Sequence, residues 1–319
     1  MEKNKALFLI SSPLQLLFSQ NAIKKFSIDE STYIFFKDSS DRYKQMENIA
    51  LRYGLHYRYE NGSVSLKEQL LGIFRKHSSK YNYLFIGNFF QSLELVYLPY
   101  LKSNGKVVYL DDGNNSIAVL NGSYDNKKVK IKRRLINFLY WSRNYSMNNF
   151  FTIYGDIPSK EFNVIQNVIE QNTNQSLRKE IYIVGTNIPL YCRVLGISTE
   201  DFVIRTEKFI TDLKENCSEQ IIYIPHGRDT SGIAPEICKK MGVIYLPLEL
   251  NIEATMIINE ILPTAIYGFG STALYTLKHI YPKLPIYNVF YDSGSGCNYK
   301  EYVALNNYYT KTGINLIVK

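Results

Sequence analysis

Short apolar runs alternate with longer helix-like segments from one end of the chain to the other, and this alternation most narrows what it can fold into. The expected strands are Lys5–Ile10, Thr32–Phe36, His56–Tyr59, Tyr83–Gly87, Val107–Leu110 and Phe151–Tyr154. A second series follows with Glu180–Val184, Phe202–Ile204, Gln220–Ile224, Val243–Leu246, Ala265–Gly268 and Pro285–Val289. Between them lie the helix-like Pro13–Lys25, Asp41–Tyr53, Leu66–His77, Leu93–Lys102, Ser231–Met241 and Thr272–Ile280. Such alternation predicts parallel sheets with helices on both faces. The polar, aperiodic stretch Gln171–Ser176 breaks the series. It divides the chain into residues 1–172 and 173–319, each of ordinary domain size. The expected class is therefore α/β, with two doubly wound domains facing across a cleft.

Composition excludes several functions. Hydrophobic residues make up 45% of the 319 and charged residues 21%, a globular balance. The net charge of +8 suits an anionic ligand, an anionic membrane surface or nucleic acid equally well. Nucleic acid is not expected, because no zinc-finger spacing, aromatic-basic motif or recognition-helix pair is present. Cys192, Cys217, Cys238 and Cys297 are widely spaced without a CxxC pair, so neither a metal site nor a disulfide framework is expected. Reduced thiols in a cytoplasm are the simple reading. Ala6–Ile10 is too short for a signal sequence and reads as a first buried strand, and no stretch approaches the ~20 apolar residues of a spanning helix. A soluble or peripheral protein is expected. Lys127–Arg134 leads into the apolar-aromatic Leu135–Trp141, which reads either as a helix on the inner face of a membrane or as a domain helix with a solvated cationic face.

Three strand ends carry chemistry, and ligands of open α/β folds bind where strand carboxyl ends meet the following loops. The first is Tyr109-Leu110-Asp111-Asp112-Gly113. Successive side chains on a strand point opposite ways, so one of Asp111 and Asp112 faces the cleft and can take a proton from an attacking hydroxyl. The other is expected to accept hydrogen bonds from amides of the turn or of a helix starting near Asn114. An Asp-Asp-Gly turn with merely capping carboxylates has the same pattern. The second is Tyr223-Ile224-Pro225-His226-Gly227-Arg228, where His226 can hold or protonate a leaving phosphate and Arg228 can add a forked contact to carboxylate or phosphate. The third, Gly268-Phe269-Gly270-Ser271-Thr272, is neither a Walker loop nor a dinucleotide fingerprint. Its glycines and hydroxyls open a helix whose amides suit an anion, and Ser271 also suits a plain N-cap. Glu249, past another strand, can accept from ribose hydroxyls or complement a helix beginning near Asn251.

In this order the motifs resemble those of the bacterial GT-B sialyltransferases, closest to glycosyltransferase family 52 and the capsular polysialyltransferases. Asp111-Asp112-Gly113 looks like their acidic-acidic-Gly motif, His226-Gly227 like their His-Pro motif, and Ser271-Thr272 like their Ser/Thr-rich turn. Leu9-Ile10-Ser11-Ser12-Pro13-Leu14-Gln15 looks like the group's first strand and loop. The resemblance implies a GT-B fold of two Rossmann-like domains, the first on the acceptor side and the second holding the nucleotide. It implies inverting transfer of a nonulosonic acid from its CMP-activated form to a hydroxyl of a bacterial surface glycan, lipid-linked or capsular, with neither metal nor further cofactor. Asp112, or else Asp111, would be the base, and His226 would contact and protonate the leaving phosphate. Ser271, Thr272, Gly270, Arg228, Glu249, Gly227, Ser12 and Gln15 would bind substrate. The chain departs from the pattern twice: Gly227 replaces the proline, and Gly185-Thr186-Asn187-Ile188 lacks the acid some family 52 members carry there. A GT-B transferase using a UDP- or GDP-sugar and a catalytically silent nucleotide- or glycan-binding module are the competing readings.

Overall fold

The computed structural model describes residues 3–37, 42–61, 80–91, 93–122, 138, 146–169, 175–297 and 299–319. The expected helix Leu66–His77, the basic run Lys127–Arg134, all of Leu135–Trp141 except Phe138, and residues 171–174 of the polar linker lie outside the described residues. The chain divides into two compact units, Met1–Ile169 and Glu170–Lys319.

The first unit is a seven-stranded sheet: β1 (Lys5–Ile10), β2 (Glu30–Lys37), β3 (Tyr57–Asn61), β4 (Tyr81–Ile86), β5 (Leu101–Leu110), β6 (Ser146–Thr152) and β7 (Asn163–Gln166). The spatial order is β3-β2-β1-β4-β5-β6-β7, with every pairing parallel. Ala6–Ile10 is an unbroken apolar run because a central parallel strand is covered on both faces, and all five residues are buried. Phe8 sits opposite Tyr33 on β2 and Phe85 on β4, and stacks on both at ring separations of 4.9 and 4.4 Å. Tyrosines serve the core throughout: Tyr33, Tyr109, Tyr154, Tyr223, Tyr275, Tyr291 and Tyr309 are all but fully buried.

The second unit has six strands: β8 (Ser176–Val184), β9 (Gln220–Ile224), β10 (Ile244–Tyr245), β11 (Ile261–Gly268), β12 (Ile286–Phe290) and β13 (Asn315–Val318). They are again all parallel, in the order β10-β9-β8-β11-β12-β13. Numbered within the unit, this is the Rossmann order 3-2-1-4-5-6, and the first unit repeats it with one strand added. Each sheet therefore has a topological switch point, between β1 and β4 and between β8 and β11.

Two of the expected segments adopt a different structure. Phe202–Ile204 is not a strand but part of the helix Thr199–Asn216. Ser198 caps that helix, Glu200 and Asp201 occupy its first turn, and Phe202, Thr206, Phe209 and Ile210 form its buried stripe. Leu93–Lys102 is not one helix: a short helix, Glu94–Tyr97, passes into a 3-10 turn, Leu98–Tyr100, and β5 begins at Leu101. Pro99 accounts for the break, since it has no N–H and disfavours helical backbone at the residue before it.

Phe8→Ala removes a ring packed on two in-register neighbours. It is expected to lower the unfolding free energy by about 3–5 kcal/mol, read from the shift in urea midpoint at unchanged slope.

Candidate active site

In the first unit the carboxyl edge around the β1/β4 switch point is organised by one side chain. The helix Pro13–Lys25 starts with Ser12 as N-cap, whose hydroxyl accepts the Gln15 N–H, and with Pro13 in its first turn. This places Gln15, fully buried, beneath the switch point. Its Oε1 accepts from the Ser11 N–H at 2.8 Å and the Ser11 hydroxyl at 3.1 Å. Its Nε2 donates to the Gly87 carbonyl at 2.6 Å and to Asp112 Oδ1 at 2.9 Å. Gly87 makes room for it, since a Cβ there would lie 2.0 Å from Oε1. Ser12 is also buried, so the structure places both Ser12 and Gln15 under the surface rather than on it.

Asp111 and Asp112 part as the pleat requires. Asp111 is fully buried and has partners across the sheet: it accepts from the Thr152 hydroxyl at 2.6 Å and the Ile153 N–H at 2.8 Å, at the end of β6. β6 lies next to β5, so the inward-facing carboxylate reaches that strand end as well as Ser116 in the helix after its own turn. Burial pushes the Asp111 carboxyl up to about 7, against the pull of those hydrogen bonds. Asp112 is half-buried. It lines a small pocket with Phe89, Phe90, Leu110, Ser116, Val119 and Phe150, so the carboxylate has aromatic and aliphatic walls beside it.

In the second unit His226 follows β9 directly, half-buried. Its Nδ1 accepts the backbone N–H of Arg228 at 3.1 Å, which leaves Nε2 as the protonated nitrogen of the neutral ring. The Asp229 N–H closes the turn on the His226 carbonyl at 2.8 Å, and Asn187 Nδ2 holds the Arg228 carbonyl at 2.9 Å. These bonds fix the loop around Gly227. Gly227 itself is exposed, with open space where a Cβ would stand. Asn187, in the loop that lacks the acid, also caps the helix Ile188–Leu195. Arg228 is exposed.

The glycine-rich turn follows β11, with only β8 between it and the His226 strand. Gly270 has φ +63°, and a Cβ there would fall 1.4 Å from the Tyr302 hydroxyl. Its N–H donates to Asn288 Oδ1 at 2.7 Å, and Asn288 Nδ2 donates to Asn306 Oδ1 at 2.7 Å, so that amide is engaged inward and not offered to a ligand. Ser271 caps the helix Thr272–Ile280 through the Ala273 N–H at 3.3 Å. Ser271 and Thr272 stand half-buried at the positive end of a nine-residue helix, a suitable seat for phosphate. Glu249 is exposed in the bend after β10. Glu253 is a buried carboxyl in the first turn of the helix Ile252–Ile258. It accepts from Asn251 Nδ2 at 2.8 Å, and burial raises its pKa. The Asn-x-Glu spacing was its one signal.

Among the described residues no group of three or more His, Cys, Asp or Glu is arranged to hold a metal ion, and no helix is long and apolar enough to cross a membrane.

The chain has the GT-B fold. It is similar over 100% of both chains to the GT-B domain of a sialyltransferase from Photobacterium damselae, with TM-score 0.55 and 14% identity. It is also similar to an alpha/beta-galactoside alpha-2,3-sialyltransferase from the luminous marine bacterium Photobacterium phosphoreum, with TM-score 0.55, 12% identity and 99% of each chain covered. A third likeness is to Staphylococcus aureus MnaA in complex with UDP, with TM-score 0.50, 9% identity, and 96% of this chain and 88% of that one covered. No protein-family model matches the chain, and no curated protein does.

A buried acid whose pKa is raised makes the protein less stable as pH climbs. Below about 4 Asp111 is neutral both folded and unfolded; between there and about 7 the folded state holds the extra proton, so stability falls through that window. Thermal midpoints of the wild type should therefore drop between about pH 4 and about 7 more steeply than those of Asp111→Asn, by roughly a few degrees.

Proposed function

We propose that this protein is an inverting glycosyltransferase that moves sialic acid, or a related nonulosonic acid, from its CMP-activated form to a hydroxyl of a bacterial surface glycan. The observation that carries the reading is the division of labour in Asp111-Asp112. One acid is buried in the fold, and the other is held at the switch point beside a pocket. The likeness in fold to two sialyltransferases supports it, as do the His226 loop and the Ser271–Thr272 turn on one carboxyl edge of the second unit.

Asp112 takes the proton of the acceptor hydroxyl as its oxygen attacks the anomeric carbon. The bond from that carbon to the phosphate oxygen breaks on the opposite face, and its electron pair leaves with CMP. Positive charge grows on the sugar and negative charge on the phosphate, so preorganised donors aimed at the phosphate lower the barrier. The hydroxyls of Ser271 and Thr272 and the helix end behind them supply such donors. His226 supplies another, donating from Nε2 while its Nδ1 accepts the Arg228 N–H. Arg228 pairs with the donor's carboxylate, and Glu249 accepts from ribose. The basic run Lys127–Arg134 holds the enzyme at an anionic membrane face, near a lipid-linked acceptor. A transferase for UDP-sugars is the second reading, favoured by the likeness to a UDP-bound protein.

Calorimetry with CMP, UDP and GDP separates these readings. CMP should bind best, and His226→Ala should weaken it about 10- to 100-fold, the worth of one hydrogen bond to a charged group. Asp112→Asn should keep CMP affinity and lower kcat with CMP-sialic acid by roughly 10²- to 10⁴-fold. Preference for UDP or GDP would replace the proposal with the second reading, and no nucleotide binding would leave a silent module.

A further inference from the structure

We propose that Gln15 is a positioning residue for the reaction, setting the rotamer of Asp112 through its side-chain amide; the inference rests on the reading of Asp112 as the base. Gln15 is a fully buried primary amide whose oxygen and nitrogen both have partners. The oxygen takes the Ser11 N–H and hydroxyl from the end of β1. The nitrogen's two hydrogens go to the Gly87 carbonyl at the end of β4 and to Asp112 Oδ1 at the end of β5. The Gly87 carbonyl and the Ser11 groups fix the plane of the amide, so its second hydrogen points in one direction. Asp112 is the group placed to receive it.

The consequence is chemical as well as structural. One carboxylate oxygen of Asp112 is engaged by Gln15. The Asp112 backbone is anchored independently, its N–H donating to the Ser116 hydroxyl at 2.9 Å. With the main chain held by Ser116 and one oxygen held by Gln15, the carboxylate cannot rotate freely about its side-chain bonds. Misplacing a catalytic group by about 1 Å costs on the order of 100-fold in rate. A substrate-binding glutamine would need an exposed amide, and this one has none to offer.

Gln15→Met keeps the apolar length and removes the amide. The expected result is a kcat roughly 10- to 100-fold lower, with donor and acceptor KM within about two-fold of wild type. Gly87→Ala offers an independent route, since its Cβ would fall on Gln15 Oε1 and drive the side chain aside. It should lower kcat to a similar degree, and the double variant should be no slower than the worse single one. Thermal midpoints, measured alongside, establish that each variant is folded at the assay temperature. In ¹⁵N spectra the Gln15 side-chain amide resonances should shift on Asp112→Asn, a readout independent of turnover. An active wild type with Gln15→Met at full kcat, or with raised KM and unchanged kcat, overturns the inference alone; so do amide resonances that do not move. A wild type that turns over no activated sugar overturns the functional reading instead.

Discussion

A parallel strand cannot be joined to its neighbour by a tight turn, and most of what matters in this molecule follows from that constraint. Each return to the start of the sheet takes a longer crossover, so the carboxyl ends of all strands in a unit collect along one edge. The chain obeys this with two sheets of parallel strands in matching order. Within each unit, residues far apart in sequence meet because they end neighbouring strands. Ser11, Gly87 and Asp112 come from the ends of β1, β4 and β5, and one buried amide reaches all three.

The central strands could be read from the amino-acid sequence because burial on both faces writes an unbroken apolar run, as in Ala6–Ile10 and Ile221–Ile224. Edge strands leave no such mark. β7 and β13 are half-exposed, with Asn163, Gln166 and Asn315 among their residues, and neither was expected. Phe202–Ile204 shows the opposite failure. Three residues of apolar character look like a strand until the wider window, from the Ser198 cap to Ile210, shows a helical period.

For the site, position was legible and partnership was not. The three motifs do end β5, β9 and β11. The pleat foretold that Asp111 and Asp112 would part, but not that Asp111 would be received by Thr152 and Ile153, because a neighbour across the sheet cannot be read from a single strand. The same limit hid Asn187 and Asn288. Each sits in an ordinary position in the sequence, yet one holds the carbonyl of Arg228 and the other the amide of Gly270. Where Gly227 stands in place of a proline, the Asn187 contact to Arg228 holds the histidine loop.

The chain from Gly270 through Asn288 to Asn306 joins the turn after β11 to the helix Tyr299–Lys311, nearly forty residues on. Tyr302 of that helix fills the space a side chain at 270 would take. The turn is thus half of a two-part device whose other half lies near the carboxyl terminus. Anyone recombining this protein with a relative would have to carry both halves from one parent. A chimera that imports the short turn alone would inherit its letters without the scaffold that gives them shape.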